Sequence, residues 1–143
     1  MRRAAALATT IACAALAAGC GDDGATAGDQ PDTNLHLALD VDGPGGKAPQ
    51  TAQIICEQEM DTSPCPEVAE LDAADLAPVP TGMACTEIYG GPETATISGI
   101  LHGVAVNATL RRSNGCEIER FNRTAPLLEA VFAGYKVGAS LKP

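Results

Sequence analysis

The side chains of this 143-residue chain that could do chemistry are six cysteines, two histidines and 18 carboxylates. Metal binding needs ligands clustered at short, regular spacing. The cysteines stand at 13, 20, 56, 65, 85 and 116, with no C-x-x-C pair, and His36 and His102 each stand alone. No metal and no cofactor are expected. Nucleophilic catalysis needs a base beside a nucleophile, and no Ser/His/Asp arrangement stands at a recognisable spacing. Pairs of carboxylates arise by chance among 18 acids and single out nothing. An enzyme is not expected, which leaves the cysteines as the informative residues.

Cys13 and Cys20 belong to an export signal. Arg2 and Arg3 precede a charge-free stretch, residues 4–18, that is mostly Ala, Leu and Ile. That length suits the apolar segment of a secretory signal and falls short of the roughly 20 residues that span a bilayer. Leu16-Ala17-Ala18-Gly19-Cys20 looks like a bacterial lipobox. The likeness implies cleavage before Cys20, a lipid on its thiol, and a chain anchored at the extracellular face of the cell membrane. Residues 1–19 are then the signal peptide. Residues 20–33 are a lipidated, flexible tether of Gly, Asp, Ala and Thr with a reach of roughly 20 Å. The folded domain is expected over 34–143.

Four domain cysteines remain, an even number in an oxidising compartment. Three pairings are possible, and neighbours in sequence suggest Cys56–Cys65 and Cys85–Cys116. Loop closure would contribute roughly 2.6 and 3.7 kcal/mol respectively. Such terms matter in a domain with no Trp, two Phe and two Tyr. The net charge is −9, and loss of Arg2 and Arg3 with the signal takes it to −11. Nucleic-acid binding, which rewards clustered Lys and Arg, is not expected. Electrostatic adhesion to anionic lipid is equally disfavoured, so attachment falls to the acyl chains.

Several elements must position these cysteines. Leu35, Leu37, Leu39 and Val41 alternate with His36, Ala38 and Asp40, the pattern of a strand with one apolar face. Residues 42–46 form a Gly/Pro turn, and residues 51–56 read as the hairpin partner. Cys65-Pro66 opens a helix candidate in which Val68, Leu71, Asp75 and Leu76 bracket an amphipathic segment. Pro78 and Pro80 end it. Residues 94–100 and 104–110 read as a hairpin around Leu101-His102-Gly103. Asn114-Gly115 is a turn signal, and residues 127–132 supply a last apolar segment, strand or short helix. Strands with one or two helices predict an α+β layering of sheet and helix, in one domain. Two matches to the glycosylation sequon, at Asn107 and Asn122, have no use in a chain with a bacterial lipobox.

The segment from Met83 to Pro92 connects these elements to a function. If Cys85 pairs with Cys116, an extended surface loop is pinned at its base, and Gly90-Gly91-Pro92 closes its other side. A loop held extended at both ends is what a protease cleft binds, because the ordering entropy is already lost. From the strand before Cys56 onward, the chain resembles the Streptomyces subtilisin inhibitor family. The shared features are two disulfides between neighbouring cysteines and a helix between them and the loop. Tyr89 lies four residues after Cys85 and Pro92 soon after it. A strand-Gly-strand hairpin and the segment Asn114-Gly115-Cys116-Glu117 complete the likeness.

The resemblance implies a five-stranded antiparallel sheet with two helices on one face, and a possible homodimer. It also implies inhibition of an extracellular serine protease as a slow substrate, with the scissile bond at Glu87–Ile88. Cys85 and Thr86 would precede the specificity residue Glu87, with Ile88 and Tyr89 beyond the bond. Arg112 and Asn114 are candidates to support the loop by hydrogen bonds to its backbone. The family archetype has Met and Pro where this chain has Glu87 and Thr86. A carboxylate entering an apolar specificity pocket loses its solvation without gaining a partner. The expected target therefore has a basic pocket. The alternative expectation is an envelope lipoprotein that uses the same scaffold as a non-inhibitory protein-binding module through its sheet face.

Overall fold

A computed structural model of the chain describes residues 32–57 and 61–139. The expected signal peptide, Cys20 and nearly all of the expected tether lie outside the described residues.

Four strands form one antiparallel sheet in the order β2-β1-β3-β4: β1 is Thr33–Asp40, β2 Gln50–Cys56, β3 Thr94–Leu101 and β4 Val104–Arg111. Leucines at alternate positions of β1 fix which face turns inward, and Leu35, Leu37 and Leu39 are all buried. Full burial of each contributes on the order of 2 kcal/mol over exposure. Ile54, Ala95, Ile97, Leu101, Ala108 and Leu110 extend the same apolar face across the other strands. Opposite it, His36, Gln53 and Thr96 face solvent.

The covering layer is α1 (Cys65–Ala69), a 3-10 turn (Ala73–Leu76), α2 (Gly115–Arg123) and α3 (Ala125–Val131). It contributes Val68, Leu71, Leu76, Phe121, Leu127, Leu128 and Phe132 to the core. The α+β class, the antiparallel sheet and both expected disulfides, Cys56–Cys65 and Cys85–Cys116, are present. The details differ in four places. Among the described residues the sheet has four strands rather than five, and the covering layer has three α-helices rather than two.

The helix expected from Cys65 to Leu76 is split, because Asp72 starts a second element. Asp72 Oδ1 accepts from Ala74 N at 3.3 Å and Asp75 Oδ2 accepts from Asp72 N at 3.1 Å, a reciprocal cap that stops α1 from continuing. Finally, Asn114-Gly115 is a helix start and not a turn: Asn114 Oδ1 accepts from Glu117 N at 3.0 Å and caps α2.

The two histidines occupy different settings. His36 is exposed on the outer sheet face. His102 occupies the β3–β4 turn with a left-handed φ of 49°, followed by Gly103 at 76°. Its Nε2 lies 3.2 Å from both Val68 O and Leu71 O and ties the hairpin to the end of α1.

Candidate functional site

The loop expected to carry the function runs between the 3-10 turn and β3. Residues 83–91 adopt no regular structure. Of the six large apolar side chains exposed among the described residues, three sit here: Met83, Ile88 and Tyr89, at 54, 57 and 64 %.

Two anchors flank the apex. On the N-terminal side, Cys85 is bonded to Cys116, and Thr86 O accepts from Gly115 N at 2.9 Å. Gly115 N is a first-turn amide of α2 and has no partner within its own helix, so it is available for the loop. A Cβ on Gly115 would stand 2.0 Å from Thr86 Oγ1, which shows how closely the loop rests on the start of α2. On the C-terminal side, both main-chain groups of Gly90 are taken by Arg112. Gly90 N donates to Arg112 O at 2.7 Å, and Arg112 Nε donates to Gly90 O at 2.8 Å. Between the anchors stand Glu87, Ile88 and Tyr89, each exposed and none hydrogen-bonded to a described residue. Glu87 makes no ion pair with any described residue.

Of the two support residues expected from sequence, Arg112 reaches the loop directly. Asn114 reaches it only through α2, whose first amide it helps to place. The structure adds two residues that sequence reading missed. Glu93 lies completely buried at the foot of β3, with Oε2 3.2 Å from Arg112 Nε and Oε1 accepting from Gly138 N at 2.9 Å. The Nε hydrogen is directed at Gly90 O, so Glu93 Oε2 meets the guanidinium as a charge and not as an aligned acceptor. Arg112 also donates from NH1 to Asn122 Oδ1 at 3.0 Å and lies over the Phe121 ring, 5.4 Å from its centre.

The second is Arg120, 9 % exposed, which donates to Leu76 O at 2.6 Å and Thr109 O at 2.9 Å. It fastens α2 to the 3-10 turn and β4, and so fixes the helix that carries Gly115 and Cys116. Near Glu93, Tyr135 is buried with no partner for its hydroxyl among the described residues. Burial, then the Glu93 charge, raises its phenol pKa above the usual tyrosine range.

A hollow of about 460 Å³ elsewhere brings Asp32, Glu57, Asp61 and Glu70 to the neighbourhood of His102, the nearest approach to an acid–base cluster. The imidazole Nε2 there is already engaged by two backbone carbonyls, which makes it a structural tie. Among the described residues no group of three or more His, Cys, Asp or Glu side chains is placed to hold a metal ion. The loop is the feature with a geometry of its own: three exposed residues stretched between two independent anchors. No family model matches the chain, and neither a curated protein nor a solved structure matches it.

Proposed function

We propose that the chain is a membrane-anchored inhibitor of serine endopeptidases, of the subtilisin inhibitor type, that binds its target as a substrate through the loop around Glu87–Ile88. The observation that carries this reading is the pair of anchors between which Glu87, Ile88 and Tyr89 have no hydrogen bond to a described residue. A substrate-like segment ordered beforehand loses little entropy on docking, and its cut ends stay near one another. The inhibitor supplies no catalytic group: the target's serine attacks the Glu87 carbonyl, and release is slow.

Glu87 selects the target. An exposed carboxylate with no cation paired to it among the described residues suits a specificity pocket that contains one, and enters an apolar pocket at a cost of several kcal/mol. The family's five-stranded sheet and its homodimer are part of this proposal, as are the lipid on Cys20 and the extracellular location. The topology suits an anchored inhibitor. Thr33, where the chain enters the sheet, pairs with Cys56, whereas β3 leaves the loop at Thr94 opposite Asp40, at the other end of β1. The loop is thus about 25 Å, one strand length, from the point where a tether would attach.

The test is inhibition of a serine protease panel that includes a glutamate-specific endopeptidase and subtilisin. Tight inhibition of the first and weak inhibition of the second is expected. No inhibition of any member would overturn the proposal and direct attention to the alternative, a protein-binding module that works through the outer sheet face.

A further inference from the structure

We propose that Glu93 and Arg112 form a leaving-group clamp, a buried ion pair that holds the Ile88 amine in place after the loop is cut so that the peptide bond re-forms. The inference rests on the inhibitor reading above and adds to it the residues that make cleavage reversible.

The relevant step follows attack by the target's serine. Glu87 is then joined to the serine oxygen as an ester, and Ile88 carries a free amine. To restore the loop, the Ile88 nitrogen attacks the Glu87 carbonyl carbon. A C–N bond forms and the ester C–O bond breaks, its electron pair leaving with the serine oxygen, which takes up the proton the amine gives away. Water competes for the same carbon. The amine wins if it stays within reach, because a held reactant acts at a high effective concentration.

What holds it is Gly90. Only Tyr89 separates Gly90 from Ile88, and both polar main-chain groups of Gly90 are bound to Arg112. The site is packed as well as bonded: a Cβ on Gly90 would lie 2.7 Å from Ile118 Cγ1 and 3.2 Å from Arg112 Cβ. Arg112 is itself immobilised by Asn122, by the Phe121 ring and by the Glu93 charge. Glu93 in turn ties to the segment after α3 through Gly138 N.

Stability alone does not call for this arrangement. A buried ion pair is often no more stabilising than an apolar pair of the same size. It does provide a charge-assisted, directional bond to Gly90 O that an apolar pair cannot make. Without it, Gly90 keeps the main-chain bond from its N to Arg112 O but loses the bond at its carbonyl, so the segment that can move after cleavage extends beyond residues 88–89, at most to about 88–92 at the foot of β3. Chain-closure scaling from two residues to five lowers the effective concentration of the amine by up to about fourfold.

The test uses the oxidised full chain and three variants: Arg112→Met, Glu93→Gln, and Glu93→Leu with Arg112→Met together. Each is incubated with a catalytic amount of glutamate-specific endopeptidase until the ratio of cleaved to intact chain is constant, read by mass. Unfolding in urea is measured alongside. The clamp predicts that Arg112→Met and Glu93→Gln move the ratio toward the cleaved form, Arg112→Met by up to about fourfold. The double variant regains the stability lost by the single ones and keeps the shifted ratio. A double variant that recovers both stability and ratio makes the pair purely structural and overturns the clamp. Single variants with the wild-type ratio, in a chain whose wild type inhibits, overturn the clamp and leave the inhibitor reading standing. A wild type that inhibits nothing overturns both.

Discussion

Gly115 offers a way to move the loop without touching it. Its added Cβ in Gly115→Ala would lie 2.0 Å from Thr86 Oγ1, whereas real contacts of this kind stay beyond 3.0 Å. The Thr86 hydroxyl must turn away or the loop must retreat by about 1 Å; we expect the retreat, which stretches the 2.9 Å bond from Gly115 N to Thr86 O past useful length. Losing that bond costs about 1 kcal/mol. Replacing Gly by Ala in a helix gains about 0.5–1 kcal/mol. The two nearly cancel in the fold, so the urea midpoint should hardly move. They do not cancel in the complex, where the displaced Thr86 is next to the bond that docks. Inhibition of the target protease should weaken about five- to tenfold, the equivalent of about 1–1.4 kcal/mol. Thr86→Ala removes the clashing oxygen and leaves its Cβ 3.4 Å from the new methyl, so the double variant should recover most of the affinity. The reasoning is refuted if Gly115→Ala inhibits like the wild type, or if Thr86→Ala fails to rescue it.

Other expectations concern single side chains. Glu87→Met should improve inhibition of subtilisin by on the order of a hundredfold, for about 3 kcal/mol of avoided desolvation, and weaken inhibition of a glutamate-specific enzyme. Parallel inhibition constants on the two proteases would show whether the preference crosses over. Joint replacement of Cys85 and Cys116 by Ser should cost roughly 3.7 kcal/mol of stability and let the target degrade the loop at several bonds. Urea unfolding and a mass digest read these two effects, and an unchanged digest pattern would remove the disulfide from the account.

Tyr135→Phe should stabilise the fold by about 1 kcal/mol at neutral pH, since it removes a buried hydroxyl that has no partner among the described residues. Burial, then the Glu93 charge, raises the folded phenol above its ordinary value. The unfolded chain therefore ionises first, and wild-type stability should fall as pH rises past about 10. That part of the alkaline slope should vanish in the variant, and a loss of stability at neutral pH would show that the hydroxyl has a partner.

What could be read from the chain and what could not divide along physical lines. The strands were legible because a sheet with one buried face imposes a period of two, and the β1 leucines obey it without exception. Both disulfides followed from neighbouring cysteines, and the loop from the cysteine, glycine and proline residues that bracket it. The helical layer was harder, because its signals are local hydrogen bonds that a period does not record. Asp72 and Asn114 each have a side chain that can make a turn or begin a helix, and the tertiary setting decides which. The support of the loop was hardest. Glu93 follows a proline at the start of a strand, where a glutamate is ordinarily solvated. Its complete burial depends on Arg112, 19 residues on, and on Gly138 far beyond, and no spacing announces that meeting. Arg120 is similar: an arginine in an amphipathic helix reads as solvated, yet it is buried between two carbonyls.

The central claim is that the loop is cut slowly, at one bond, by the protease that it inhibits. The most direct measurement follows the oxidised chain by mass during incubation with a glutamate-specific endopeptidase, before and after reduction. The account predicts one product, heavier by a single water, that stays in one piece because Cys85 and Cys116 lie on opposite sides of the cut. Reduction should then release two fragments that meet between Glu87 and Ile88. A chain left intact by a fully active enzyme, or one digested at many sites, would contradict it.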